Sequence, residues 1–472
     1  MATPVPAGIE APATVETRLG TLNFFDGFPD DASAEKLFDN LDFQRAVQAY
    51  LLALPAVSQV AMRKALLLWG PANETLPIWE GLMHPHYIGL TTNTNTTYSW
   101  MWIDLHDGPL VVEVPPKVLG VIDDFWLNWV VDVGLTGPDK GAGGKYLLLP
   151  PGYEGAVPEG YFIVRPHTFG MYLAWRGFLV NGDPKPHVDL IKKTARVYPL
   201  DCVGDPPALK FVDVTPEAFC SVGPGDYTFW EYLNEVVQEE PSTSVDPVRL
   251  GFFASIGIEK GKPFAPDARM KGILTEAATV GDATTRALTY RMRDRRAYLY
   301  PNSAWRTLFL GGYDFVQDGV LLLDSAVQCF FYGTGVSPAE EVKMVGQGSQ
   351  YAIAFVDARG QPLDGGKNYK LHLPPNIPVN NFWSVIVYDS QTRSQLQTDQ
   401  EWPTVTSQNK DTQGNADGSV DVYFGPKAPA GKEGNWVQTI PGKGWNVMMR
   451  LYGPLDPWFD KTWRPGEIEP QP

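Results

Sequence analysis

Cysteine, histidine and net positive charge are all scarce in this chain of 472 residues. The three cysteines, Cys202, Cys220 and Cys329, show no C-x-x-C spacing, and an odd number leaves one thiol unpaired. A reducing compartment is favoured over a disulfide framework. The histidines number six, and only His84 and His86, in "MHPHY", could share a face of an extended segment. A metal there would need a third ligand such as Asp104 or His106. The pair reads instead as loop residues, and no metal is expected. With 38 basic against 54 acidic residues the formal charge is −16. That balance excludes the phosphate-neutralising surface of a nucleic-acid binder.

Other absences narrow the reading further. No run of about 18 apolar residues suits a membrane span. The opening "MATPVPAGIEAPATVETR" lacks the basic and apolar regions of a leader, so a soluble, cytoplasmic protein is expected, although a trimmed leader would leave the same text. There is no G-x-S-x-G, no G-x-x-x-x-G-K-[ST], no G-x-G-x-x-G after a strand and no H-E-x-x-H, and no cofactor is expected. The glycine-rich "GPDKGAGGK" lacks the helix that a phosphate loop requires and reads as a hairpin turn.

What the chain does contain is apolar residues (44%), aromatics (12%) and 46 Gly with 42 Pro scattered along its length. Its length calls for two or three domains, and the turn residues suit short strands. Residues 1–30 read as an arm whose Phe24, Phe25 and Phe28 need cover, either from the chain's own β domain or from another subunit; a homo-oligomer is expected. Residues 31–74 form a helical lead-in, with Phe43, Val47, Leu51 and Leu52 at helical spacing and an interruption at Pro55. From 75 to 205 the period becomes two. In "YSWMWIDL", Tyr98, Trp100 and Trp102 share one face; "HDGP" reads as the turn to "LVVEVPP" and a hairpin. Residues 206–339 return to helix, and 340–472 to strands.

The two strand regions echo one another. Each has a strand ending in Pro-Pro (Pro115-Pro116, Pro374-Pro375), then Phe-Trp (Phe125-Trp126, Phe382-Trp383), then an aspartate six residues on (Asp132, Asp389). Each later places an arginine, Arg176 or Arg450, inside an apolar strand. The order suggests duplication of one β unit. It predicts that Trp126 matches Trp383 and Asp132 matches Asp389.

The stretches "NTNTTYSWMWIDLHDGPLVVEVPP" and "GPDKGAGGKYLLLPPGY" resemble the DUF1254 domain. "AFVDARGQPLDGGKNYKLHLPP", "NNFWSVIVYDS", "NADGSVDVYF" and "MMRLYGPLDPWFDKTWRPGEI" resemble its usual companion, DUF1214. The resemblance implies an α+β protein, mostly β, with two β-sandwich, jelly-roll-like domains joined by a helical segment and commonly oligomeric. It implies little about chemistry. At Asn95 the run departs from the acidic residue expected in the family pattern, so no carboxylate is assigned there.

Three groups of residues are candidates for a site. Asn93, Asn95, Thr96 and Thr97 cannot all be satisfied in a strand ladder, and they lead into Tyr98 and Trp100. Polar groups beside flat walls suit a small-molecule pocket, although a capped turn entering the core would look alike. "RMRDRRAYLYPNSAWR" gathers Arg291, Arg293, Arg295, Arg296 and Arg306; on a helix Arg291, Asp294, Arg295 and Tyr298 would share a face. Such arginines could clamp an anion or join an interface. Asp324, in "VLLLDSAVQCFF", needs either a cation or a proton if buried. The resulting expectation is a cofactor-independent enzyme, hydrolase or lyase, acting on a small organic substrate. Tyr98, Asp324, Arg293 and Arg295 would be its catalytic residues; Asn93, Asn95, Thr96, Trp100 and Tyr298 would bind substrate. The alternative is a small-molecule or carbohydrate-binding protein with an aromatic-lined site.

Overall fold

Alternation along Thr96–Asp104 sends Met101 and Ile103 to one side and Tyr98, Trp100 and Trp102 to the other. The computed structural model, which describes residues 3–6 and 8–472, buries both sides. Met101 and Ile103 pack with Leu110, Val112, Tyr146 and Leu148 between two sheets. The aromatic side packs with Tyr50, Trp79 and Trp230, two of which come from helices.

The first sandwich pairs a six-stranded sheet with a four-stranded one. The six run Lys210–Asp213, Thr75–Ile78, Thr96–Asp104, Gly170–Phe178, Leu119–Asp124 and Trp129–Gly134; the four run Phe162–Val164, Gly144–Leu148, Leu110–Val114 and Arg196–Pro199. In the second, Ser349–Ala354, Trp445–Pro454, Val379–Asp389 and Thr404–Thr406 face Trp436–Gln438, Val420–Gly425, Asn368–Leu373 and Ile468–Gln471. Setting aside Lys210–Asp213 and Thr75–Ile78 at one end of the six-stranded sheet, the strands of each sandwich occupy the same places in chain order. Even the parallel pairs correspond, Phe162–Val164 with Gly144–Leu148 and Trp436–Gln438 with Val420–Gly425. The molecule is a duplicated β sandwich.

The residue match within the duplication differs from the one the echo predicts. Aligning the two arginines by their ladders, Met171 and Trp445 each lie five residues before the arginine, and they pair with Asp124 and Asp389. Both aspartates accept a hydrogen bond from the amide two residues on, Trp126 at 2.8 Å and Gln391 at 2.6 Å. Asp124, not Asp132, is therefore the counterpart of Asp389. Trp126 lies in the turn after its strand, whereas Trp383 lies within one.

The expected "HDGP" hairpin is also replaced. Thr96–Asp104 and Leu110–Val114 belong to opposite sheets, and residues 105–109 carry the chain between them. "GPDKGAGGK" makes a second crossing of this kind, between Trp129–Gly134 and Gly144–Leu148. Asp139 organises that loop, accepting from the Gly134 and Gly143 amides at 2.7 and 3.1 Å and from the Tyr146 hydroxyl at 2.5 Å. Strands buried on both faces find partners far along the chain, because a local hairpin would place both in one sheet.

Helices cover the outer face of the six-stranded sheet. Asp31–Leu66 begins where the Asp30 carboxylate accepts from the Ser33 amide at 2.8 Å. It runs unbroken through Pro55, which the sequence pattern had marked as an interruption. Proline costs a helix interior about 3 kcal/mol. Burial of Ala49, Tyr50, Ala53, Leu54, Val57 and Val60 around it offsets that cost. Thr228–Glu239, Pro247–Ser255 and Ala268–Tyr290 pack against this long helix. Ala268–Tyr290 stops before Arg291, and the arginine cluster holds only the single turn Arg295–Ala297. The helical face expected for Arg291, Asp294, Arg295 and Tyr298 does not form.

The N-terminal strands Thr14–Thr17, Gly20–Phe25 and Phe28–Pro29 make a small meander. Phe25 and Phe28 are 84% and 73% exposed, so the chain's own β domain does not cover them. Among the described residues no helix is long and apolar enough to cross a membrane.

Candidate functional site

The six-stranded sheet and the sheet that begins with Ser349–Ala354 turn their aromatic faces toward a shared cavity of about 100 Å³. Tyr98, Trp100, Tyr172 and Arg176 line it from the first sandwich, and Tyr351, Met448 and Arg450 from the second. Two loops complete the walls: Leu90–Thr92, ahead of the first sandwich's aromatic strand, and residues 333–340, ahead of Ser349–Ala354. The second loop is fastened to the first sandwich. The Val336 amide donates to Asp123 Oδ2 at 3.0 Å and the Ser337 hydroxyl to Asp132 Oδ1 at 2.8 Å.

Arg176 lies directly across the ladder from Tyr98, and Arg450 directly across from Tyr351. The Arg176 guanidinium carbon is 6.0 Å from the Tyr98 ring centre and 5.8 Å from that of Tyr452; Arg450 is 5.2 Å from Tyr351. These are cation–π distances. Burial pushes the Tyr98, Tyr351 and Tyr388 hydroxyls up, so they serve the cavity as neutral donors and acceptors.

The two arginines differ in what answers their charge. Arg176 Nη2 donates to Glu340 Oε1 at 3.3 Å, and the Tyr351 hydroxyl donates to the same oxygen at 2.8 Å. Arg450, 3% exposed, donates through Nη2 to the Thr91 carbonyl and to the Tyr388 hydroxyl at 2.8 Å. Its Nε has no partner, and no carboxylate pairs with it among the described residues. Thr91 has φ 46°, a strained conformation for a β-branched residue. Its carbonyl is thus held on the guanidinium.

Asp123 adds a buried acid beside the cavity wall. It shares the strand Leu119–Asp124 with the lining residues Leu119, Gly120 and Val121. Burial pushes its carboxyl well above the usual carboxylate range, against the opposing hydrogen bond from Val336. Oδ1 has no partner.

Of the residues singled out in the sequence, Tyr98 and Trp100 line this cavity. Asn93 supports it indirectly: Nδ2 donates to the Tyr98 hydroxyl oxygen at 2.6 Å, while Oδ1 accepts from the Asn95 amide and the Thr96 hydroxyl. Asn95 and Thr96 are buried in that turn and do not line the cavity. Arg293 and Asp324 sit together elsewhere, in a larger cavity of about 470 Å³ beside the long helix. They pair at 2.7 Å, and Asp324 is in the first turn of Leu323–Tyr332 with its side chain 39% exposed. A helix N-terminus near water suits a carboxylate, so the expected buried acid is absent there. Arg295 stacks on Tyr298 at 4.8 Å, and neither lines either cavity. The expected constellation thus divides, with Tyr98 separated from its supposed partners. Sequence reading missed Arg176, Arg450, Tyr351 and Glu340 as site residues. The paired arginines were visible there only as a mark of duplication.

Fold and cavity together define a class: tandem β sandwiches built from one duplicated unit, with a small cavity at their junction. The chain belongs to the two-domain DUF1254/DUF1214 family, residues 74–199 matching DUF1254 and 348–456 matching DUF1214, each described as a protein of unknown function. Among solved structures it is similar to the VPA0106 protein of Vibrio parahaemolyticus, at 20% identity and a TM-score of 0.58, over 91% of this chain and 100% of that one. An uncharacterised protein from Burkholderia cenocepacia aligns at 13% identity and a TM-score of 0.41, over 91% and 95% of the two chains. No curated protein matches the chain.

Proposed function

We propose that this protein binds a small organic anion in the cavity between its sandwiches. The observation that supports it most directly is Arg450, a buried guanidinium with a free Nε and no carboxylate to answer its charge. Burying an unpaired charge is expensive, and a ligand carboxylate or similar oxyanion is the natural partner. Within the cavity Arg176 and Arg450 are balanced by Glu340 alone. Leu90, Val121, Leu308, Phe309 and Met448 supply an apolar wall for the rest of the molecule. An engineered cavity of about 150 Å³ holds benzene, so one of about 100 Å³ suits a ligand of roughly six heavy atoms or fewer.

A second reading adds turnover to binding, by general acid/base chemistry of the hydrolase or lyase kind. Asp123 favours it: a carboxyl with raised proton affinity and an unpartnered oxygen, on the strand that forms one wall. Tyr98 would orient a substrate oxygen.

Calorimetric titration with short carboxylates tests the binding reading. Propionate should bind wild type and lose at least about tenfold in affinity in Arg450→Met, since each factor of ten is about 1.4 kcal/mol and a charged hydrogen bond contributes at least that. Equal binding to both proteins, or to neither, would count against it.

A further inference from the structure

Each sandwich sends the loop ahead of its aromatic strand over the arginine of the other. Residues 333–340, ahead of the second sandwich, bring Glu340 to Arg176 of the first. Leu90–Thr92, ahead of the first, brings the Thr91 carbonyl to Arg450 of the second. The anchors correspond as well. Asp123 pairs in the ladder with Tyr172 and Tyr388 with Asn446, each pair four residues before its arginine. Asp123 accepts from the Val336 amide of one loop, and Tyr388 donates to the Thr92 carbonyl of the other at 2.7 Å. The cavity therefore has two pseudo-equivalent halves, each a tyrosine–arginine pair under a crossing loop. One half contains a carboxylate. In the other the arginine meets only neutral acceptors, the Thr91 carbonyl and the Tyr388 hydroxyl.

We infer that Glu340 occupies the place of a ligand carboxylate in one half and thereby restricts the site to monocarboxylates, Arg450 taking the single anionic group. The inference rests on the anion reading of this cavity and names its ligand class. Glu340 Oε1 already receives Arg176 and Tyr351, the two groups that a second ligand carboxylate would engage. A dicarboxylate would bring its second charge against Glu340 in a low-dielectric chamber, where like charges repel strongly. Removing the Glu340 charge frees Arg176 and makes the two halves alike.

The test compares acetate with oxalate, which have the same number of carbons, differ in one carboxylate and both stay within the size the cavity admits, by calorimetric titration of the full chain. Wild type should prefer acetate by about tenfold or more, and Glu340→Gln should reverse the preference by a similar factor, or about 1.4 kcal/mol each way. Oxalate binding wild type as tightly as acetate overturns the inference. So does Glu340→Gln that retains the wild-type preference while still binding acetate. If that variant does not fold, the wild-type ratio decides alone. If neither ligand binds wild type or Glu340→Gln, the anion reading itself fails and this inference with it.

Discussion

Arg176 and Arg450 hold equivalent places in the two sandwiches, each directly across the strand ladder from a tyrosine, Tyr98 or Tyr351, and both line one cavity. Their stabilities toward replacement should nevertheless differ. Arg176→Met leaves Glu340 without its cation, and breaking this half-buried pair on one side costs up to about 3 kcal/mol. Arg450→Met loses two charged hydrogen bonds worth about 1.5 kcal/mol or more each, but this is offset by removing a buried charge that no carboxylate answers. Urea unfolding should show the Arg176 variant clearly destabilised and the Arg450 variant within about 1 kcal/mol of wild type. Equal losses would mark Arg450 as a structural residue.

Stability should fall as pH rises above the acid range, and Glu240 is one cause. Burial pushes its carboxyl from the ordinary 4.5 to about 7, against hydrogen bonds from the Gly170 and Phe169 amides at 2.9 and 2.7 Å. A folded-state value above the unfolded one means that folding favours the protonated form. Its contribution is therefore complete below 4.5 and lost as pH climbs through about 7. At about 1.4 kcal/mol per unit the span is roughly 3 kcal/mol. Glu240→Gln should flatten the pH dependence of unfolding between 4.5 and 7; an unchanged slope would show that Glu240 does not set it.

Gly281 sets how closely two helices approach. A Cβ there would lie 2.4 Å from a Tyr50 ring carbon, and Tyr50 itself stacks on Phe229 at 3.9 Å. Alanine is favoured over glycine in a helix by about 1 kcal/mol, while overpacking costs about 1–3 kcal/mol. The second effect should win, because the ring is held on both sides. Gly281→Ala should lower the thermal midpoint, and a rise would mean that the Tyr50 ring can move away.

The exposed rings of Phe25 and Phe28 leave another subunit as the cover expected for them. Each costs about 1.5–3 kcal/mol in water relative to burial. Light scattering should give a particle of at least two chains, and Phe25→Ser with Phe28→Ser should shift it toward monomer. A wild-type monomer at micromolar concentration would remove this expectation.

The broad architecture was legible in the residues alone. Period-two alternation in residues 96–104 fixed which face each ring takes, and recurring Pro-Pro and strand arginines marked a duplicated β unit. Those features are local, and side-chain direction follows from backbone geometry alone. Strand partners were not legible. The "HDGP" turn read as a hairpin although its flanking strands lie in opposite sheets, because the ladder groups are the same in every strand and alternation specifies only a face. The match of Asp124 to Asp389 emerged only from ladder register, as did the opposition of tyrosine and arginine in both units. The cavity was least visible of all. Glu340 lies 164 residues from Arg176, and the Thr91 carbonyl 359 from Arg450. Only packing the two sandwiches together decides which of these two arginines meets a carboxylate and which does not.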